Sequence, residues 1–281
     1  MVAASADPFG CFTGPLFDAH FHLNDPAFSS DWSNVGTNME LHNIKGICTG
    51  YNLESSMRSV HTAEAFSCIY AAVGIHPQYA KEITAKESIM QLEDLLLQRK
   101  KVHAIGEIGL DNRINTSKEL QQHAFMKQLD LASQTKTPCV LHVRGAHGDV
   151  LNELKKYSSC LPHCMIHGIS ASWELAKEYL KLGCMLSISG VVTWSNARKI
   201  KDIVHNVPLD RMMIETDSPY LSPEPSRHSR NEPQHLPYII KAIASIRKMN
   251  EDRIREYTYQ NALHFFQLEQ EGLPAYESIK E

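Results

Sequence analysis

The segment LFDAHFH, residues 16–22, is a short apolar run that ends in two histidines, and four later segments repeat this arrangement. These segments are HAIGEIGLD (103–111), PCVLHVR (138–144), CMIHG (164–168) and MMIETDSP (212–219). Each has the length and the residue types of a buried strand that stops at polar, Gly or Pro residues. The strand ends carry six side chains that can bind a metal ion, which are His20, His22, Glu107, His142, His167 and Asp217.

Strand ends recur along the chain at intervals of 22 to 34 residues, close to the length of a strand, a helix and two loops. Eight such units in succession predict a (β/α)8 TIM barrel, whose C-terminal strand ends meet around one mouth. We therefore expect the six side chains to form one metal site there. An open doubly wound sheet has the same alternation, but it binds ligands at a single crevice and does not gather five strands. The predicted ends lie near His22, Gly50, His76, Gly109, Val143, Gly168, Gly190 and Asp217.

Helical periodicity and capping residues mark the segments between these strands. Ser117, followed by apolar residues at helical spacing, is the clearest cap. A first helix is placed within residues 28–42, although Gly36 and several Asn and Ser residues weaken that pattern. The other predicted helices cover residues 53–66, 85–100, 117–135, 146–157, 171–182, 195–206, 237–248 and 252–266.

The composition favours one globular domain. With 281 residues, of which 43% are hydrophobic, we predict a single domain over residues 1–281, with its core at about 16–268 and short extensions at both ends. The net charge of -4 argues against a long electrostatic contact with nucleic acid. Seven cysteines, mostly in apolar runs, favour reduced thiols. The sequence shows neither a secretory signal nor a membrane span, so a cytoplasmic or nuclear location is expected.

The residue types at the strand ends suit divalent cations. His20 and His22 stand two apart, so both side chains face one side of a strand and can chelate one ion. Glu107 lies among apolar residues and glycines, where an unpaired carboxylate is unfavourable. Asp217, after MMIET and before Ser-Pro, is placed to bind metal and to accept a proton from water.

The same residues could have purely structural roles, and a second cluster of Cys and His residues is a rival metal site. The histidines could be core residues bonded to backbone carbonyls, Glu107 could form a salt bridge, and Asp217 could cap a helix. A second cluster with the spacing C-x2-H-C-x2-H resembles a zinc site, but its ligands are crowded and lack the usual loop between two pairs. It consists of Cys160, His163, Cys164 and His167.

The segments DAHFHL, VGIHP, GEIGLD, LHVR, IHG, SISG, ETDSPYL and RNEP follow one another as in the TatD-type metal-dependent deoxyribonucleases, a branch of the amidohydrolase-like barrels. The resemblance spans about residues 17–266. It implies a (β/α)8 barrel that hydrolyses DNA with two divalent cations. Two departures concern substrate fit: GISA follows His167 where the family usually has Cys-Phe-Ser-Gly, and Asn112 stands where an aromatic residue is common.

The resemblance also implies a set of metal ligands. Two cations, Mg²⁺ or Zn²⁺, are expected; the histidine-rich set suits zinc, whereas magnesium prefers oxygen ligands. Glu107 would bridge the two ions. The first ion would be held by His20, His22 and Asp217, and the second by His142 and His167.

Catalytic and substrate-binding roles follow from the same correspondence. Asp217 would be the general base for a metal-activated water, beside the bridging Glu107. His76 and Arg144 would line the substrate pocket. A phosphate could be held by Arg144 together with Arg227 or Arg230, from the loop after the last strand.

Three functions are compatible with these residues. The leading one is a deoxyribonuclease that cleaves phosphodiester bonds at DNA ends, in the manner of a 3′ exonuclease. The second is a metal-dependent amidohydrolase or an aminoacyl-tRNA deacylase on the same barrel, although Glu107 stands where a carbamylated lysine would bridge the metals. The third is a non-catalytic scaffold, which is disfavoured because it leaves six metal-capable side chains without a role.

Overall fold

The computed structural model describes residues 14–157, 160 and 162–268. Within them, eight parallel strands form one sheet in which each strand pairs with the next along the chain. The strands are β1 (Leu16–Phe21), β2 (Ile44–Thr49), β3 (Ile69–Val73), β4 (Val102–Asp111), β5 (Cys139–Arg144), β6 (Cys164–Ile166), β7 (Met185–Ile188) and β8 (Met212–Ile214).

The sheet closes where the end of β1 meets the segment after β8. The amide of Asp217 donates to the carbonyl of His20 at 2.9 Å, and the amide of His22 donates to the carbonyl of Ser218 at 2.7 Å. We call this pair of hydrogen bonds the closing seam. The sheet is therefore curled into a barrel, and the predicted (β/α)8 TIM fold is confirmed.

Helices follow the strands as predicted, with ends shifted by at most a few residues. Ser117 is the expected cap, since its side chain accepts a hydrogen bond from the amide of Leu120. The weakly predicted first helix also forms, because packing overrides propensity: Gly36 lies so close to the Phe66 ring that a Cβ would overlap it. The helices are α1 (Trp32–Leu41), α2 (Leu53–Ala65), α3 (Lys86–Gln98), α4 (Lys118–Thr135), α5 (His147–Lys156), α6 (Trp173–Lys181), α7 (Arg198–Asn206), α8 (Leu236–Arg247) and α9 (Glu251–Phe265).

The apolar residues form an outer cluster under the helices and an inner cluster within the barrel. In the inner cluster Phe17, near the start of β1, stacks on Phe266 after α9 with ring centroids 5.8 Å apart. The interior is thus filled with side chains at this end. The polar side chains at the strand ends are left to occupy the opposite, C-terminal mouth.

Register shifts in β1 and β4 decide which side chains face that mouth. Phe17 and Ala19 belong to the inner cluster but Phe21 belongs to the outer one, because the pairing with β2 shifts between Asp18 and Phe21. The shift turns the even-numbered His20 and His22 inward. The pairing of β4 with β5 shifts between Ile105 and Ile108 in the same way, after inward Ala104, and this turns Glu107 inward.

Gly109 is required by the backbone at the end of β4. Its φ is +146°, and a Cβ here would overlap the carbonyl oxygen of His142 on β5. We expect Gly109→Ala to lower the free energy of unfolding by about 3 kcal/mol, since it combines a disfavoured φ with overpacking. Denaturant unfolding measures this. The matched control is Gly148→Ala in α5, where a Cβ meets no atom within 4 Å; equal stability losses in the two variants would contradict the prediction.

Two predictions concern the chain as a whole. The single domain over residues 1–281 stays a prediction, and its short terminal extensions lie outside the described residues. Among the helices that the structure describes, none is both long enough and apolar enough to cross a membrane.

Candidate metal centre

All six predicted ligands converge at the C-terminal mouth, in two groups that share Glu107. In the first ligand group, Nε2 of His20 lies 3.0 Å from Nε2 of His22, and Oδ1 of Asp217 lies 3.5 and 3.4 Å from these two nitrogens. Oε2 of Glu107 completes the group at 3.8 and 3.7 Å from them. Ligand atoms around a tetrahedral zinc ion stand roughly 3.3 Å apart, so the spacing fits one ion.

The second ligand group lies around the other oxygen of Glu107. Oε1 is 2.7 Å from Nδ1 of His142 and 2.9 Å from Nε2 of His167, and these nitrogens are 3.2 Å apart. The ring of His167 also stacks on that of His20, with centroids 4.1 Å apart. The two groups are therefore adjacent, and the Glu107 carboxylate lies between them with one oxygen toward each.

Hydrogen bonds on the far side of three imidazoles orient the rings for metal binding. His22 donates from Nδ1 to the carbonyl oxygen of Thr49 at 2.8 Å. Nε2 of His142 faces Asp111 at 3.2 Å, and Nδ1 of His167 faces Glu215 at 3.3 Å. With these acceptors on the far side, loss of the other ring proton to a bound cation would leave each ring with a lone pair toward Glu107 or Asp217, which is the arrangement that a metal ligand needs.

Asp111 and Glu215 were not among the predicted site residues. Both are buried, at 3% and 0% exposure, and each follows or ends an apolar run in GEIGLD or MMIETDSP. An Oε2 atom of Glu215 has no hydrogen-bond partner among the described residues. The sequence signal that could have found them is a carboxylate inside a buried strand, the same signal that identified Glu107.

Asp217 is held by an unusual backbone. Its φ is +55°, in the left-handed region that non-glycine residues adopt mainly when they are Asn or Asp. The closing seam fixes its amide, and buried Asp18 fixes the preceding residue by accepting hydrogen bonds from the amide and hydroxyl of Thr216. Burial raises the pKa of Asp18 well above its usual range, although the hydrogen bonds from Thr216 oppose this shift. Asp18 therefore orients Asp217 and not the rings of the histidines.

Charges in the cluster shift the pKa values of its members in complementary directions. Burial alone would raise the pKa of Glu107, but the positive charge of His167 and hydrogen bonds from His142 and His167 hold it well below its usual range. Burial would also raise the pKa of Asp217, but hydrogen bonds from His20 and His22 lower it. Both carboxylates are therefore ionised at neutral pH and available to a cation.

The rival cysteine cluster does not assemble. Among the residues that the structure describes, the groups of side chains close enough to hold a metal involve neither Cys160 nor Cys164. The His163 side chain is exposed, whereas the thiol of Cys164 is buried and donates to the carbonyl of Pro162. His167 belongs to the second ligand group instead.

The ligand groups open into a cavity of about 1280 Å³ at the mouth. His76 and Arg144, the two residues predicted to contact substrate, line it, and so do the exposed Arg198 and Lys199 at the start of α7. Burial lowers the pKa of His76 to about 4, and its Nδ1 accepts a hydrogen bond from the amide of Gln78. The neutral ring therefore carries its proton on Nε2, which lies 3.8 Å from Oε1 of Glu107, and His76, Glu107 and His142 are also close enough together to hold a metal.

Aromatic residues line other parts of the cavity. Tyr51 and Tyr79 stack with ring centroids 5.6 Å apart, and Trp194 belongs to the lining as well. Tyr220 lies with its ring centroid 6.1 Å from that of His22 and donates a hydrogen bond to Asp25. Basic and aromatic side chains together are suited to a single nucleic-acid strand.

The two arginines predicted in the loop after β8 lie elsewhere. Arg230 forms ion pairs of 2.7 Å with both Asp31 and Glu232 and does not line the cavity. The guanidinium of Arg227 lies 4.3 Å over the ring of Trp194, and Trp194 lines the cavity. The structure therefore brings His76 and Arg144 to the mouth, Arg227 to its edge, and Arg230 to a neighbouring ion-pair network.

A barrel with histidines and carboxylates gathered at its C-terminal mouth defines the class of metal-dependent barrel hydrolases. The model of the family described as TatD related DNase matches residues 17–267, and the chain belongs to this family. It is 35% identical to an uncharacterized metal-dependent hydrolase of Bacillus subtilis, over 90% of this chain and 99% of that protein. It is 31% identical to the 3′-5′ ssDNA/RNA exonuclease TatD of Pectobacterium atrosepticum, over 90% and 100% of the two chains.

Solved structures agree with this assignment. The crystal structure of a TatD homologue from Escherichia coli superposes with a TM-score of 0.83 at 29% identity, over 90% of this chain and 98% of that one. An organophosphorus hydrolase of Deinococcus radiodurans superposes with a TM-score of 0.65 at 14% identity, over 89% and 92% of the chains. The latter similarity concerns the fold alone.

Proposed function

We propose that this metal-dependent hydrolase is a nuclease that removes nucleotides from the 3′ end of single-stranded DNA. The observation that carries the proposal is the pair of ligand groups on either side of Glu107, at the base of a cavity with both basic and aromatic walls. The family and the relatives named as 3′-5′ ssDNA/RNA exonucleases support it.

Two divalent cations would occupy the two ligand groups. His20, His22 and Asp217 would hold one, His142 and His167 the other, and Glu107 would contribute one oxygen to each. The four imidazole nitrogens favour Zn²⁺ over Mg²⁺. When bound, the ions would lower the pKa of water and neutralise charge that develops on the phosphoryl oxygens.

The remaining chemistry falls to the side chains around the ions. Asp217 would accept the proton of the attacking water, because its ionised carboxylate lies at the edge of the cavity on the β8 side. His76 would donate from Nε2 to a phosphate oxygen. Arg144 would pair with the scissile or the neighbouring phosphate and align it.

The strand itself would lie between the basic and the aromatic walls. Arg144, Arg198 and Lys199 can contact about two or three phosphates, so the log-log dependence of affinity on salt should have a slope of about -2. Tyr51 and Tyr220 can stack on bases of any sequence, since every base has a π-face. A duplex offers no free base faces, which favours single strands.

Digestion of labelled oligonucleotides tests the proposal. The zinc-loaded protein is incubated with single-stranded DNA, the same DNA as a blunt duplex, and single-stranded RNA, each labelled at the 5′ end. A ladder of products that shortens one nucleotide at a time, fastest for single-stranded DNA, is expected. Internal cleavage would contradict the exonuclease mode, and hydrolysis of carboxylic esters or amides without cleavage of nucleic acid would contradict the proposed function.

The buried Glu215 provides a separate test of the second ligand group. Glu215→Gln removes the carboxylate that orients His167 and should weaken one of the two bound ions by about 10- to 100-fold, as is typical for such partners of metal-bound histidines. Competition with a chelator measures both affinities. Glu119→Gln, at an exposed position in α4, is the control. If both affinities match those of the wild type, Glu215 has no part in metal binding.

A further inference from the structure

A second cavity lies beside the main one, between the loop after β1 and the helices α1 and α2. It has a volume of about 360 Å³, which is the size of a pocket for one small ligand. Asp25 and Pro26 line both cavities, so the two are neighbours on either side of this short segment.

The lining of this second cavity suits a flat aromatic ring. Trp32 and His61 approach with ring centroids 5.7 Å apart and planes inclined by 52°. The Trp32 ring also makes an edge-to-face contact with Phe66, again at 5.7 Å, and this contact restricts its orientation. A half-buried tryptophan with a braced ring is a stacking platform for a base.

The charges around this cavity argue against a phosphate. Arg58 lines it, but its guanidinium already pairs with Glu54 and donates from Nε to the carbonyl of Asn24. The carboxylate of Asp25 is present as well, and accepts hydrogen bonds from the amide of Ala27 and from Tyr220. With two carboxylates beside one arginine, the wall is not cationic, and an uncharged ligand is favoured.

We propose that the cavity lined by Trp32 and His61 is a base-binding subsite for the substrate strand, several nucleotides from the bond that is cleaved. The proposal rests on the proposed nuclease function and extends it, because it makes the enzyme sensitive to substrate length. A short oligonucleotide fills only the main cavity. A longer one also places a base on Trp32.

Kinetics with thymidine oligonucleotides from dimer to octamer test this subsite. In the zinc-loaded wild type, kcat/KM should rise with length until the subsite is filled. Trp32→Leu and His61→Ala should abolish the last step of that rise, a loss of about tenfold for the octamer, which is within the range for removal of one stacked base. The loss should fall mainly on KM, since the subsite is remote from the reacting phosphate.

Controls separate this inference from folding defects and from the proposed function. Trp173→Leu, in α6 and outside both cavities, should keep the wild-type dependence on length. Because the His61 side chain is exposed, His61→Ala should fold normally even if Trp32→Leu does not. Unchanged length dependence in His61→Ala and in folded Trp32→Leu would overturn the subsite alone. Failure of the wild type to cleave any oligonucleotide would overturn the proposed nuclease and the subsite with it.

Discussion

Replacing Asp217 with asparagine should lower kcat by at least about 100-fold at saturating metal while leaving the barrel folded. The substitution removes one negative charge from the first ligand group, and it also removes the proposed acceptor of the water proton. The loss of either role alone should lower kcat by a large factor. Asparagine tolerates the φ of +55° and keeps the amide that forms the closing seam, so the backbone should not change. Steady-state kinetics and thermal unfolding, each with excess metal, measure the two effects.

The control for this variant is Asp94→Asn, an exposed position in α3 that removes the same charge far from the mouth. It should retain wild-type kcat and thermal stability. Turnover of Asp217→Asn within a factor of about three of the wild type would rule Asp217 out of the chemistry. A lower melting temperature in Asp217→Asn without metal would not bear on this conclusion, because the kinetics are measured in metal excess.

Glu107→Gln should have the largest effect of any single substitution in the centre. The carboxylate faces the first ligand group with Oε2 and the second with Oε1, and an amide can offer only one oxygen. We expect bound metal to fall from two ions per chain to one or fewer, and kcat/KM to fall by about 1000-fold or more. Elemental analysis after dialysis and hydrolysis assays on the same samples measure both quantities.

Glu87→Gln, at an exposed position in α3, serves as the control and should keep full metal content and activity. The informative comparison is between metal content and activity in the Glu107 variant. If it retained two ions per chain and still lost activity, Glu107 would act in the reaction rather than as a shared ligand. If it retained both metal and activity, the two-group description of the centre would be wrong.

The fold could be predicted from the sequence because its strands are buried on both faces. Such strands appear as continuous apolar runs, and a polar residue at the end of each run stands out against them. His142 and His167 follow their runs directly, so their convergence required only the topology of the barrel. The helices could also be predicted from the sequence, and α1 shows that packing around Gly36 can override a weak helical pattern.

Other features of the site depend on geometry that a sequence pattern does not contain. The register shifts that turn His20 and Glu107 inward are properties of strand pairing, and an ideal strand would present a different set of side chains. Arg230 lies in the predicted loop, but its pairing with Asp31 and Glu232 depends on where that loop folds back. Arg198 and Lys199 appear in the sequence as an ordinary solvated helix start, and only the packing of α7 brings them to the cavity.

Because of the closing seam, the lifetime of the protein would depend on the concentration of the metal ion. The same two backbone hydrogen bonds that join the ends of the barrel connect His20 and His22 to the segment of Asp217, so local opening of the barrel would also separate the residues proposed to hold the first ion. An ion that binds only the closed form stabilises it in proportion to the logarithm of its free concentration. Scarcity of the ion would therefore leave more of the chains open at this joint and exposed to proteases, so that abundance falls along with activity.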